Sequence, residues 1–116
     1  MKLLFVGDLR LYHAVRGLSE RSSLAIKWIY RESFETDLGT YNALIIDSKW
    51  FKDFTRLSSQ QGKSVAIIGP YTDEMSRGAF SLKERYAYIA YGDLESELIP
   101  VLAEFLSCHL KPNKYR

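Results

Sequence analysis

The 116-residue sequence is short of cysteine, of proline and of long apolar runs, and it carries no strong excess of charge of either sign. Its one cysteine, Cys108, allows no internal disulfide, and with His13 and His109 it gives no Cys/His spacing that would hold a metal. A single thiol fits a reducing cytoplasm. The apolar run Leu3–Val6 has four residues, against the roughly 20 that a membrane helix needs. It is also too short for the core of a signal peptide, so Met1–Lys2 lead into a strand and the expected location is cytoplasmic. Sixteen Lys and Arg oppose 14 Asp and Glu, and the net charge of +2 is dispersed along the chain. That excludes the basic footprint by which a domain tracks nucleic acid. Neither GxGxxG nor GxxxxGK[ST] occurs, so no phosphate-cradling loop is encoded and no cofactor is expected.

What is present is the composition of a globular domain, 47% apolar and 26% charged. One domain over residues 1–110 is expected, followed by a basic tail or linker at 111–116 that carries Lys111, Lys114 and Arg116. Lys2–Val6 is apolar without alternation, as a strand covered on both faces should be. Leu11, Ala14, Val15 and Leu18 then fall at i, i+3, i+4 and i+7 and predict a helix with a narrow apolar face. A second strand lies within Leu24–Tyr30, nearer the sheet edge, and a third is Asn42–Asp47. Trp50, Phe51, Phe54 and Leu57 repeat at helical spacing, Ser64–Ile68 is a fourth strand, and a helix with Met75, Ala79, Phe80 and Leu82 follows. Tyr86–Tyr91 is the fifth strand, before a last helix with the face Leu98, Val101, Leu102, Phe105 and Leu106. Pro100 must sit in the first turn of that helix or kink it.

Strand and helix alternate five times at about twenty residues per unit, which demands right-handed crossovers and a parallel sheet. The expected fold is a three-layer α/β/α, flavodoxin-like domain with five parallel strands in the order 2-1-3-4-5. In that order the first and third strands are neighbours, and Asp8 and Asp47 face each other across the switch point, where such sheets place their crevice.

The stretches KLLFVGD, YNALIID, SVAIIGPYTDE and YAYIAYGDLESELIPVL resemble, over nearly the whole chain, the receiver domain of two-component response regulators, the CheY-like family. The resemblance implies a phosphoacceptor at Asp47 and a residual acidic pocket at Asp8. In that family the acceptor shares Mg²⁺ with an acidic pair, because a dianionic phosphoryl donor will not approach bare carboxylates. Here Gly7 stands for the first acid of the pair and Gly69 for the hydroxyl residue that closes strand four. Tyr91 stands for the lysine after strand five, with Gly92 in the place of its proline. A tyrosine hydroxyl does not supply the cation that pairs with phosphoryl oxygens. The resemblance therefore implies a degenerate pseudo-receiver: no enzyme, no catalytic residue and no dedicated metal site, with Asp8 and Asp47 the carboxylates an Mg²⁺ ion could use.

Two plainer roles stand beside this. Asp47 is also placed to cap the helix that follows it, and Gly7–Asp8 to form a turn. His13 and His109 read as structural or surface residues, and Trp28 and Trp50 as core or core rim. Tyr71, Tyr86, Tyr88 and Tyr91 crowd the fourth and fifth strands. In receivers the face of the fourth helix, fifth strand and fifth helix is the usual dimer or partner surface, and tyrosine suits interfaces. The expected function is signal transduction or transcriptional regulation by protein docking, to a partner, an output domain or a second copy, independent of phosphorylation. No direct nucleic-acid contact and no membrane are expected. Two alternatives stay open. MKLLFVGD also resembles the opening strand of two-domain nucleotide-sugar glycosyltransferases, though no glycine-rich turn follows it. Asp47 could also still accept a phosphoryl group despite the losses.

Overall fold

The computed structural model describes residues 1–33, 40–50, 64–70 and 86–110, with 86 and 108–110 described by their backbone alone. Strand β1 is Lys2–Val6, helix α1 Leu9–Arg21, strand β2 Lys27–Arg31, strand β3 Ala43–Asp47, strand β4 Ser64–Gly69, strand β5 Tyr86–Ala90 and helix α2 Leu94–Leu110. Short 3-10 turns, Ser48–Trp50 and Tyr91–Asp93, leave β3 and β5. The five strands form one sheet, every pairing is parallel, and the order is β2-β1-β3-β4-β5. The α/β class and the strand order are those expected from the sequence, and β2 is an edge strand, as β5 is. No helix among the described residues is long and apolar enough to cross a membrane.

The lack of alternation in Leu3–Val6, Ala43–Asp47 and Val65–Ile68 has its cause in burial on both faces. Leu3, Phe5, Ala43, Ile45, Ala66, Ile68 and Ile89 point to one side, where α1 and α2 lie against each other and against the sheet. Leu4, Val6, Leu44, Ile46, Val65 and Ile67 point to the other side and are also fully buried. Each such aliphatic side chain contributes about 1.5–3 kcal/mol relative to exposure, so β1, β3 and β4 form the stable centre. Side-chain and backbone bonds fix the start of β1: the Lys2 amide donates to Asn42 Oδ1 at 2.8 Å and the Asn42 amide to the Lys2 carbonyl at 2.9 Å.

Helix α1 is turned relative to the expected stripe. Its buried residues are Tyr12, Val15 and Ser19, Leu11 and Leu18 are half-buried, and Ala14 is exposed. The reason is aromatic. Tyr12 packs its ring 4.8 Å from Tyr30, 5.6 Å from Phe5 and 5.9 Å from Trp28, centroid to centroid. A large ring outweighs the small side chain of Ala14 in setting the helix rotation. Ser19 is tolerated inside because its hydroxyl donates to the Arg16 carbonyl at 2.8 Å. His13 is exposed, and Trp28 and Trp50 lie on the core rim.

Strand β5 ends at Ala90, one residue earlier than its sequence suggests, so Tyr91 belongs to the turn. In α2, Leu98, Leu102 and Phe105 are buried, whereas Val101 and Leu106 are half-buried. Pro100 is inside α2, past the first turn, and exposed. Having no N–H, it leaves the Ser96 carbonyl without its helical donor. Trp50, the expected start of the helix over 50–57, closes a 3-10 turn; residues 51–57, the expected helix over 72–82, the tail 111–116 and Tyr71 fall outside the described residues.

Proline in a helix interior is about 3 kcal/mol less favourable than alanine. Because nothing buried depends on this ring, Pro100→Ala is expected to raise stability by about 1–3 kcal/mol. A urea melt in which the variant unfolds earlier than the parent would refute this account of α2.

Candidate functional site

The crevice lies at the carboxyl ends of β1, β3, β4 and β5. Asp47, the last residue of β3, is 6% exposed, which is unusual for a carboxylate and requires donors. Two are present on the same oxygen. The Tyr91 hydroxyl donates to Asp47 Oδ1 at 3.2 Å, and the Lys49 amide donates to it at 3.3 Å. The second bond is the local capping role open to a strand-end aspartate. The first crosses 44 residues of sequence. It forms because Tyr91 has left the strand and its ring turns back along the crevice while remaining 48% exposed.

Glycines close the crevice from both sides. Gly7 has φ +150°, a conformation that side chains rarely adopt, and a Cβ there would stand 2.7 Å from the Asp47 Cβ. A Cβ at Gly69 would run into the Ser48 hydroxyl, 2.5 Å from the Ser48 Cβ and 2.7 Å from the Tyr88 hydroxyl. The Tyr88 hydroxyl makes a short hydrogen bond to the Pro70 carbonyl, and its ring packs on the second apolar face of the sheet. Gly7 is thus required by its backbone conformation and by Asp47, and Gly69 by the side chains of Ser48 and Tyr88.

Asp8 is exposed, and its side chain does not cap α1 although the residue begins it. Its charge is felt at Tyr30, whose hydroxyl donates to the Gly7 carbonyl at 2.7 Å. Burial first, then the charges of Glu32 and Asp8, push the Tyr30 phenol up. Burial followed by the charge of Asp47 raises both the Tyr88 and the Tyr91 phenol, and the hydrogen bond to Asp47 raises Tyr91 further.

Of the residues singled out in the sequence, the structure brings together Gly7, Asp47, Gly69, Tyr88 and Tyr91. Asp8 stands at the same end of the sheet on the solvent side, and the side chain of Tyr86 is outside the description. Two participants were not singled out from the sequence. Ser48 packs against Gly69, and Tyr30 holds the carbonyl of Gly7. The register Phe5↔Tyr30 carries β2 one residue further to the end of β1, so the strand order held the signal for Tyr30.

Among the described residues the strand ends supply two carboxylates, Asp8 and Asp47, a third at Gly7 has no room, and no group of three or more His, Cys, Asp or Glu converges. Among the described residues the donors to Asp47 are neutral, and the one ion pair is Arg16–Glu20, on α1. Comparison of the chain with protein-family models, with curated proteins and with solved structures finds no match.

Two outcomes test this geometry. Gly7→Ala is expected to destabilise by at least about 2 kcal/mol, since it adds both a disfavoured φ and a clash. Gly69→Ala should cost about 1–3 kcal/mol by overpacking against Ser48. Chemical denaturation that leaves either variant as stable as the parent would contradict the packing described.

The raised phenols make the second test. A folded pKa above the ordinary 10.0 means a contribution fully present below pH 10.0 and lost as pH climbs through the folded value. Stability should therefore fall above that pH. Tyr91→Phe should make the fall shallower, with a loss of about 1 kcal/mol at neutral pH from the missing hydrogen bond. Melts across the alkaline range, read with phenolate absorbance, give both quantities.

Proposed function

We propose that the chain is a three-layer, receiver-like domain that acts by docking to protein, without phosphoryl transfer and without enzymatic activity of its own. The observation that carries this reading is the Tyr91–Asp47 hydrogen bond. It takes up the carboxylate at the very position where the receiver resemblance would put a lysine. A phosphoryl group on Asp47 Oδ1 would have to displace the Tyr91 hydroxyl, which cannot supply the cation that a lysine in its place would bring. The glycines argue the same way: Gly7 and Gly69 cannot be exchanged for an acid and a hydroxyl residue without moving β3 or Ser48. A second helical layer is supported by the complete burial of Leu4, Val6, Leu44, Ile46, Val65 and Ile67 on the sheet face away from α1 and α2.

Within this reading the domain has one conformation at its crevice, locked by neutral hydrogen bonds, and presents a constant surface to a partner or output domain. Signalling or transcriptional regulation is the setting that the resemblance suggests. Of the proposed tyrosine face, Tyr88 and Tyr91 direct their hydroxyls into the crevice, to Pro70 and Asp47, and leave ring edges for contact.

The test is beryllofluoride or acetyl phosphate with Mg²⁺ added to the isotopically labelled chain. Amide resonances of Asp47, Ser48, Gly69 and Tyr91 are expected to stay where they are. Saturable shifts centred on Asp47 would establish instead a receiver that is still phosphorylated there.

A further inference from the structure

We propose that the layer formed by α1 and α2 is the face through which two copies of this chain associate, as a charge-complementary, twofold-symmetric dimer. The proposal rests on the docking reading above and names the partner and the surface. The two helices lie side by side on one face of the sheet. Each follows a strand of the same parallel sheet, so they run in the same direction. Their charges are opposite. Leu9–Arg21 holds three arginines against one glutamate, whereas residues 91–107 hold Asp93, Glu95, Glu97 and Glu104 and no Lys or Arg.

The spacing matches as well as the sign. Arg10 and Arg21 are eleven residues apart, and so are Asp93 and Glu104. At helical rise this separation is about 16 Å in each case. All four are exposed, and none forms an ion pair with another described residue. Between the arginines the outer face of α1 is low: Ala14 is exposed, and a Cβ added at Gly17 would meet nothing within 4 Å. A twofold axis running parallel to the helices and midway between them lays α1 of one copy against α2 of the other, in parallel. Arg10 and Arg21 then stand over the partner copy's acidic pair, and the reverse contact follows by symmetry.

Local effects do not explain these charges. Acidic residues at the start of α2 and Arg21 at the end of α1 suit the helix dipoles. Arg10 does not: it is a cation in the first turn of α1, where a negative charge would be favoured. Glu104 lies beyond the reach of either end of α2. A partner of opposite pattern gives both a reason. Helix α1 spans about 20 Å and two adjacent helices about the same width, which places the interface at the small, transient end of specific contacts. Association driven this way is strongly salt-dependent, because the screening length falls from about 10 Å at about 0.1 M to about 3 Å at about 1 M salt.

Sedimentation velocity on the 116-residue chain tests the proposal. At low salt and high protein concentration the mass is expected to double from 13.4 kDa, and to return to the monomer in high salt. Arg10→Glu with Arg21→Glu should be monomeric, and so should Asp93→Lys with Glu104→Lys. An equimolar mixture of the two variants should restore the dimer, since each then supplies the charge the other lacks. A parent chain that stays monomeric at low salt overturns the proposal. So does a dimer that survives in both variants, which circular dichroism would show to be folded. Neither result bears on phosphorylation at Asp47, which the beryllofluoride titration decides separately.

Discussion

The buried carboxylate of Asp47, bonded on one oxygen by the Tyr91 hydroxyl and the Lys49 amide, is the constraint around which the carboxyl end of the sheet is arranged. A desolvated carboxylate without donors is far too unfavourable to persist in a folded domain. Lys49 is supplied locally by the turn after β3. Tyr91 has to be brought from the far edge of the sheet, and that requires β5 to end at Ala90 so that the next residue can turn inward. Space for this arrangement comes from Gly7 and Gly69, whose missing side chains let the Asp47 and Ser48 side chains sit against the backbone of β1 and β4. The hydrogen bond across the crevice thus goes with the early end of β5, and the two glycines make room for Asp47 and Ser48 beside it.

The same economy separates the apolar from the charged parts of the chain. With both faces of β1, β3 and β4 buried, the sheet has almost no room for ionised groups, and Asp47 is its exception. Charge is pushed to the outer surfaces of α1 and α2, where it is unpaired within the described residues except at Arg16–Glu20. The chain's net charge of +2 therefore says little about its surface. The local fields of the two helices, which lie next to each other, have opposite signs.

Much of the fold was legible because its physical causes are local. Leu3–Val6, Leu44–Ile46 and Val65–Ile68 read as central strands from the absence of alternation, and they are. The parallel sheet followed from alternation of strand and helix with short connections, and its order is the flavodoxin-like one expected of such sheets. The rotation of α1 was not legible. Apolar spacing favoured Ala14, while the Tyr12 ring, drawn to Phe5, Trp28 and Tyr30 on strands far along the chain, turned the helix its own way. Pro100 shows the same limit, since propensity places a proline in a first turn and the packing of Leu98 and Leu102 holds it further in.

The sequence by itself determined that Asp47 ends a central strand, with glycines at the ends of the strands on either side and Tyr91 at the end of β5. Those are statements about residue type and position along strands, and hydrophobic patterning carries them. Only the tertiary structure decided that Tyr91 reaches Asp47, that Gly7 and Gly69 have no room for side chains, and that α1 and α2 pack side by side on one face of the sheet. Each of these depends on distances between segments far apart in the chain, which are set by the pairing of strands and the packing of helices on them. Periodicity along one segment carries no record of them.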